Sequence, residues 1–313
     1  MFIADTSGQA EPISLKQLVT LLQDSPVIED VAKGIYNENE IHKVSYLLAS
    51  YAANRNDIIA TICQQLQDPK NFQPSNDLQV PTFIVHSDKR ITLRLVIWLP
   101  WAKRFGKTLF SYEECHDHNF DFWTINFFGS GYRTRLYNYN HNQVFGYNDE
   151  IVALESLDEH DLSPGKVMFY QRSKDVHTQY PPDELSVSLN LIVLPEVEPR
   201  QYEFYLDDPM RLGEIKGRIK CGRFERYTLQ NALFCGLLKF GDEQRHDLVQ
   251  EVARSNSKDE VRAIAFGTLL EHAFQQNNHD RFCHLATLSA NDGSDYVRRW
   301  VAKRTSALKK QST

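Results

Sequence analysis

Cysteine is scarce in this chain: there are five residues among 313, and no two of them form a C-x-x-C pair. An odd number of scattered thiols excludes a complete disulfide framework and is typical of a protein in a reducing compartment. No apolar run approaches the roughly 20 residues that span a bilayer, and the N-terminus, MFIADTSGQAEP, lacks the basic start and apolar centre of a signal peptide. We therefore expect a cytoplasmic protein that does not cross a membrane.

An excess of positive charge is also missing. The chain has 35 lysine and arginine residues against 41 aspartate and glutamate residues, and the net charge of −6 argues against broad nucleic-acid binding. With 42% hydrophobic residues and a mean hydropathy of −0.47, the composition is that of a folded globular protein. The length predicts two domains, or one domain with large additions.

The first segment, residues 1–78, has a helical pattern. Ser14 and Gln17 have the spacing of a capping box at a helix start, and apolar residues recur at helical spacing over residues 15–66. Proline and asparagine then interrupt the pattern over residues 68–81. We expect these helices to pack on a neighbouring domain.

The second segment, residues 79–205, has a different pattern. Short stretches rich in β-branched and aromatic residues alternate with glycine, proline, asparagine and aspartate, which is typical of a many-stranded sandwich or barrel. The predicted strands cover residues 83–85, 91–99, 122–128, 132–139, 166–170 and 185–194.

Helical periodicity returns in the last segment, residues 206–313. The predicted helices cover residues 228–240, 243–254, 259–274 and 295–308. Two of them begin alike, with Asp-Glu-Val-Arg at Asp259 and Asp-Tyr-Val-Arg at Asp295, and this pattern resembles a HEAT-like repeat. A plain helical appendage fits equally well. Either arrangement could provide a homodimer contact or bind a protein partner.

The most informative stretch is Glu-Cys-His-Asp-His-Asn-Phe-Asp-Phe-Trp, which contains His116 and His118. Side chains alternate along a β-strand, so both imidazoles would point to the same side and could bind one divalent metal ion there. A third ligand has to come from another strand. His177 is the best candidate, because it lies in a polar turn shortly before the strand predicted near residues 187–193.

These histidines resemble the two metal-binding motifs of the cupin superfamily. The first motif has His-x-His followed by a glycine, here Gly129, and the second places a histidine before the final strand, here His177. The resemblance covers about residues 80–199 and implies a double-stranded β-helix (a jelly-roll barrel) flanked by the two helical segments. Phe122 or Trp123 stands where the first motif has an acidic ligand, so the implied site has three neutral imidazoles.

The order of strands, histidines and glycine, with a Val-Ser-Leu strand at the end, is closest in pattern to the three-histidine cysteine dioxygenase-like cupins. That resemblance implies Fe²⁺ on His116, His118 and His177, although zinc, nickel or manganese can also occupy such a site. It further implies that a small acidic substrate, such as a thiol or an amino acid, reacts with O₂. The substrate carboxylate would meet Arg90 or Arg94, because guanidinium binds carboxylates through two hydrogen bonds.

Aromatic residues make up the rest of the implied pocket. Tyr170 is the candidate for a further catalytic residue. The other predicted lining residues are Phe120, Phe122, Trp123 and Tyr132. Two further groups stay open as additional ligands: Asp121 would need a local bulge to face the histidines, and His141 lies in a polar turn.

Two positions differ from the thiol dioxygenases. That family places a histidine and a tyrosine two and four residues after the serine of the last strand, whereas Asn190 and Ile192 follow Ser188 here. Hydrogen bonds around the ligands tune a metal site. A substrate other than a thiol therefore stays open, for example a β-dicarbonyl or a catechol.

The sequence thus predicts a non-haem iron cupin oxygenase, similar to a dioxygenase, that acts on a small acidic molecule and binds neither nucleic acid nor membrane. Two alternatives stay open. One is a non-catalytic cupin module that binds a small ligand while its helices bind a protein partner. The other is a metal-dependent isomerase or lyase, since cupins also include such enzymes and imidazole suits several divalent ions.

Overall fold

The computed structural model describes residues 1–8, 10–68, 73, 82–100, 111–146, 149–197, 199–220 and 225–310. Most of the interruption predicted over residues 68–81 lies outside these residues. The backbone contacts divide the chain into two compact units. One unit comprises Met1–His141 and Ala153–Gly217, and the other comprises Asn142–Val152 and Arg218–Thr313.

The chain begins with a short strand and four helices. The strand β1 spans Phe2–Asp5, and the helices are α1 (Leu15–Gln23), α2 (Pro26–Ala32), α3 (Glu38–Ala53) and α4 (Arg55–Leu66). The capping box is confirmed: the Gln17 N–H donates to Ser14 Oγ at 3.3 Å, and the Ser14 N–H donates to Gln17 Oε1 at 2.8 Å. The helical character of this segment is therefore confirmed, whereas the sequence analysis does not predict β1.

Six antiparallel strands form the first sheet, in the order β1-β8-β5-β10-β3-β2. Its remaining strands are β2 (Thr82–Ser87), β3 (Ile91–Trp98), β5 (Asp121–Phe128), β8 (Lys166–Tyr170) and β10 (Ser186–Val193). One face packs against the N-terminal helices, where the buried Trp123 donates its indole N–H to the Ile41 carbonyl. The opposite face carries a second buried cluster that includes Phe122 and Tyr170. Because both faces are covered, buried side chains occur on both sides of strands such as β5 and β10.

A second group of six strands closes into a ring, in the order β11-β12-β7-β6-β9-β4. These strands are β4 (Cys115–His116), β6 (Arg133–Tyr139), β7 (Ile151–Asp161), β9 (Asp175–Gln179), β11 (Glu203–Leu206) and β12 (Gly213–Lys220). The mixed β and α fold class is thus confirmed, and the double-stranded β-helix stays a prediction. The expectation that the segment from residue 206 contains only helices is wrong, because Gly213–Lys220 forms β12.

The turn between β5 and β6 requires a glycine. Gly129 has a φ of +80°, and a Cβ atom at this position would lie 2.3 Å from the Leu185 carbonyl oxygen. Any side chain would be strained by the backbone conformation and obstructed by the neighbouring chain. Gly129, to which the resemblance to cupins pointed, therefore has a structural reason here, because it lets the chain turn tightly beside the start of β10.

The second unit contains five helices in the described part of the chain. They are α5 (Glu225–Phe240), α6 (Glu243–Ser255), α7 (Asp259–Gln275), α8 (His279–Ala290) and α9 (Asp295–Lys310). Arg262 of α7 donates to both carboxylate oxygens of Asp292 at 2.9 Å, and Arg298 of α9 donates to the Asp292 carbonyl. The two similar helix starts thus bind the same loop, while the HEAT-like repeat stays a prediction. None of the described helices has both the length and the apolar character needed to cross a membrane.

Candidate metal centre

His116 and His177 lie side by side on neighbouring strands. His116 ends β4 and pairs directly with His177 of β9, so their side chains share one face. His118 is not part of β4. It lies in the connection to β5, where its carbonyl accepts a hydrogen bond from the Ser173 N–H at 3.0 Å. The expectation of one strand through both His116 and His118 is therefore wrong, although the two side chains still meet at one site.

The three imidazoles converge through their Nε2 atoms. The Nε2 atom of His177 lies 3.1 Å from that of His118 and 3.2 Å from that of His116. With metal–nitrogen bonds of about 2.0–2.1 Å, two imidazole nitrogens on one ion are about 2.9 Å apart at a right angle and about 3.4 Å apart at a tetrahedral angle. The observed separations fall in this range, so the three histidines could hold one metal ion.

The contact between His116 and Glu114 determines which nitrogen of His116 faces the other two rings. His116 Nδ1 lies 2.9 Å from the Glu114 carbonyl oxygen, which can only accept, so in a neutral ring Nδ1 carries the proton and Nε2 carries a lone pair. If the Nε2–H of His177 donates to His116, the same proton cannot also form a linear hydrogen bond to His118. A metal cation would satisfy all three lone pairs, and the Glu114 contact would fix the His116 ring for that role.

The residue between the two histidines anchors the connection. Asp117 is fully buried, and its carboxylate accepts hydrogen bonds from the Tyr139 hydroxyl and from the Tyr202 N–H, both at 2.5 Å. Burial and the adjacent carboxylate raise the pKa of Tyr139, so its hydroxyl stays protonated and remains a donor. The sequence analysis missed this role, although alternation along His-Asp-His indicates that Asp117 faces away from the two ligands.

Aromatic rings surround two of the histidines. The Phe122 ring lies 4.8 Å from His118, and the Tyr170 ring stacks on Phe122 at 4.7 Å and lies 4.9 Å from His177. The Tyr170 hydroxyl donates to the Met168 sulfur at 3.6 Å. Burial raises the pKa of Tyr170 well above its ordinary value. Tyr170 is therefore a protonated phenol beside the histidines.

The other predicted lining residues divide between the two faces of the first sheet. Phe120 packs on His118, with ring centres 4.9 Å apart, and Tyr132 belongs to the same buried cluster as Phe122. Trp123 packs with the N-terminal helices. The expectation that Trp123 lines the site is therefore wrong, because alternation along β5 turns it to the opposite face.

The two candidate arginines have different surroundings. Arg90 is exposed in the turn between β2 and β3, where its N–H donates to Asp88. Arg94 is half-buried on β3, with its guanidinium carbon 5.8 Å from the centre of the Phe120 ring. Its enclosed Nε atom has no hydrogen-bond partner, and no carboxylate of the described residues forms an ion pair with it. Burial lowers the pKa of Arg94 to about 10. Of the two arginines, the structure brings only Arg94 to the aromatic side of the site.

Asp121 and His141, which were considered as additional ligands, lie outside the three-histidine group. The buried Asp121 carboxylate accepts hydrogen bonds from the Arg172 side chain and main chain and from the Tyr36 hydroxyl. Burial raises the pKa of Asp121 against the opposing effect of Arg172. His141 Nε2 lies 3.2 Å from the Arg200 carbonyl oxygen. Within the described residues, the group that could hold a metal consists of the three histidines alone.

Comparison with known proteins gives no family assignment. No family model matches the chain, and no curated protein matches it. Among solved structures, a chain from the crystal structures of the DMSP lyases RdDddP and RnDddQII is similar over 38% of this chain and 50% of its own length, with 11% identity and a TM-score of 0.24. This chain thus matches only half the length of that structure.

Two further structures give similar values. The polyketide cyclase RemF from Streptomyces resistomycificus matches 41% of this chain and 73% of its own length, with 14% identity and a TM-score of 0.24. The E. coli protein ycfD matches 64% of this chain and 45% of its own length, with 13% identity and a TM-score of 0.21. At such TM-scores, the likeness establishes neither a common fold nor a common function.

Proposed function

We propose that this protein is a cupin-type, metal-dependent enzyme that binds Fe²⁺ through His116, His118 and His177 and oxidises a small acidic molecule with O₂. The observation that supports the proposal best is the convergence of three Nε2 atoms, with two of their separations at 3.1 and 3.2 Å. All of the candidate ligand atoms lie within 4.8 Å of one another.

The chemistry of the donor set suits this role. Three neutral imidazoles leave a divalent ion with its full charge and with open coordination positions, and imidazole is a suitable ligand for iron. Ferrous iron, when bound, supplies the activation of O₂ and an anchoring point for the substrate. The fixed His116 ring and the anchored Asp117 would hold the ligands in place before the metal arrives.

The protein's own side chains would exclude water and position a proton. Phe120 and Phe122 cover His118, which favours a dry environment around the open coordination positions. Tyr170 keeps its proton, and the Met168 sulfur is only a weak acceptor for it. A charged oxygen of a bound substrate would be a stronger acceptor, so Tyr170 is the proposed donor to the substrate.

Arg94 supports an acidic substrate. A half-buried guanidinium without an ion-pair partner among the described residues is unfavourable on its own. A carboxylate would compensate it through two charge-assisted hydrogen bonds. We therefore propose Arg94, and not the exposed Arg90, as the residue that binds the substrate carboxylate.

Metal analysis combined with oxygen uptake tests the proposal. The untagged protein should contain nearly one iron per chain, measured by plasma mass spectrometry, and the His116→Ala/His118→Ala variant should contain none. The matched control is His141→Ala, which should keep its iron because His141 is not part of the three-histidine group. An oxygen electrode would then screen thiols, amino acids and dicarbonyls.

Three other outcomes would overturn parts of the proposal. Zinc, nickel or manganese with an oxygen-independent reaction would indicate a metal-dependent lyase or isomerase. Stoichiometric metal without turnover of any substrate class would favour a ligand-binding module whose helices bind a partner. Absence of metal after anaerobic iron reconstitution would refute the site itself.

A further inference from the structure

One turn of the first unit contacts the connection that carries His118 at two points. The turn joins β8 to β9 and contains Arg172 and Ser173. The Ser173 N–H donates to the His118 carbonyl at 3.0 Å, and the Arg172 N–H donates to the Asp121 carboxylate, three residues further along, at 2.9 Å. Because His118 lies outside the strands, its position depends on contacts of this kind.

The Arg172 side chain fastens the same turn to the N-terminal helices. Its Nη1 atom donates to the Val31 carbonyl at 2.8 Å, and its Nη2 atom donates to the Ala32 carbonyl at 2.9 Å. Both carbonyls belong to the last turn of α2, where helical carbonyl groups lack an internal partner and a cation is favourable. Nη1 also donates to the Asp121 carboxylate. One guanidinium therefore joins the end of α2 to the first residue of β5.

The surroundings of this guanidinium define one orientation. The side chain of Arg172 is 13% exposed, and that of Asp121 is fully buried. The Tyr36 hydroxyl donates to the same carboxylate at 2.9 Å. A planar guanidinium with several fixed acceptors can satisfy them in few arrangements. The next residue, Ser173, has a φ of +55°, a conformation that persists when its surroundings impose it.

We propose that Arg172 is a positioning residue for the metal centre, because it holds the β8–β9 turn where the turn brings His118 toward His116 and His177. The inference rests on the metal-binding part of the proposed function. Arg172 would act through the main chain of the turn and not on the metal itself. A ligand that is already in place loses less freedom when the metal binds, so affinity should depend on this support. The N-terminal helices thereby gain a role at the site, since α2 supplies two of the acceptors.

The informative variant changes two residues together. Removal of Arg172 alone would leave the buried Asp121 carboxylate without its cation and could unfold the protein for that reason. Arg172→Met/Asp121→Asn removes both charges at once. Asparagine keeps an oxygen that can accept from the Tyr36 hydroxyl and from the main chain of residue 172, whereas methionine cannot donate to α2. The paired variant should therefore fold and lose the connection between the turn and the helix.

Affinity for Zn²⁺, measured by competition with a chromophoric chelator, is the first readout. The loss of a contact that supports a metal ligand typically weakens binding about 10- to 100-fold. We expect Arg172→Met/Asp121→Asn to bind Zn²⁺ at least about tenfold more weakly than the wild type.

The His118→Ala background shows whether Arg172 acts through His118. In that background the turn has no His118 ring left to position, so the paired change should weaken the residual Zn²⁺ binding less than about twofold. A general loosening of the fold would instead weaken binding by the same factor in both backgrounds, because independent effects add in free energy. The comparison therefore separates positioning from a merely structural role.

The pair of Arg262 and Asp292 in the second unit is the matched control. Arg262 donates to both carboxylate oxygens of Asp292 and to the Asn256 carbonyl. The exposed fractions of the two side chains, 15% and 7%, are close to those of Arg172 and Asp121. Arg262→Met/Asp292→Asn should lower the melting temperature to a similar extent and change the affinity for Zn²⁺ less than about twofold.

The outcomes separate this inference from the proposed function. Equal Zn²⁺ affinity of the wild type and Arg172→Met/Asp121→Asn would refute the positioning role. An equal loss in the His118→Ala background, or in the Arg262 control, would also refute it. A wild-type protein that binds Zn²⁺ and supports the cycle, but consumes no O₂ when loaded with iron, would retain the positioning role and lose the oxygenase. A wild-type protein that binds no Zn²⁺ would refute both.

Discussion

Replacement of Arg94 by an uncharged residue should stabilise the protein. A pKa that falls from 12.5 to about 10 corresponds to roughly 3 kcal/mol of unfavourable free energy for the charged form. Methionine in place of Arg94 keeps an apolar stem of similar length and removes the charge. The substitution also removes a cation–π contact with Phe120, which is worth about 0.5–1 kcal/mol. Because the side chain is only half-buried, we expect Arg94→Met to raise the free energy of unfolding by about 1–2 kcal/mol.

Urea unfolding of the metal-free protein at pH 7 is the assay. The folded-state pKa of Arg94 lies below its ordinary value, so the charged side chain costs stability below pH 10 and the penalty is relieved as the pH rises through that value. The advantage of Arg94→Met should therefore shrink above pH 10. Arg133→Met is the control, because the exposed Arg133 is paired with Glu159 at 3.5 Å and its loss should change stability by no more than about 0.5 kcal/mol. A loss of 1 kcal/mol or more for Arg94→Met would refute the view of Arg94 as an uncompensated cation.

Three further predictions concern the site and its frame. Tyr139→Phe removes one of the hydrogen bonds that hold Asp117 and should weaken metal binding about tenfold in a chelator competition; unchanged affinity would contradict the anchoring role. Gly129→Ala should destabilise the protein by about 1–3 kcal/mol in urea unfolding, because of its positive φ and the close Leu185 carbonyl; a neutral effect would contradict that reason. Bound metal should be released on acidification, since the histidines must be neutral to bind; full retention at pH 4, measured after gel filtration, would contradict binding by three histidines.

The three-histidine group could be predicted because the residue types and their spacing are local and specific. His116 and His118 are separated by one residue. Few other types of side chain at that spacing would suit a divalent metal ion. The break in the strand between them could not be predicted, because a two-residue strand such as Cys115–His116 carries no periodic signal. The pairing of His116 with His177 depends on strand register, which the turn geometry and the rest of the fold determine.

The strands of the ring were harder to predict than those of the first sheet. In β12 the buried Ile215 and Ile219 alternate with exposed charged residues, so an apolar run is absent and a search for one overlooks the strand. A search for alternation would have found it. Apart from β1, the strands of the first sheet are rich in apolar and β-branched residues and could be predicted without knowledge of their partners.

The turn between β2 and β3 determines which of the two candidate arginines, Arg90 or Arg94, lies on the aromatic side of the site. The Asp88 carboxylate accepts the N–H groups of Arg90 and Ile91, which holds Arg90 in the turn before β3 begins. Arg94 comes four residues later, on the face of the sheet that also carries Phe122 and Tyr170. Aspartate two residues before Arg90 is a turn signal, and it could have favoured Arg94 from the sequence alone.

The central claim is that one metal ion binds to His116, His118 and His177, and anomalous X-ray diffraction of iron-loaded or cobalt-loaded crystals tests it most directly. The account predicts a single anomalous peak about 2.0–2.2 Å from all three Nε2 atoms, and no peak there in His177→Ala. A strong peak elsewhere in the chain with none between the three histidines would contradict it.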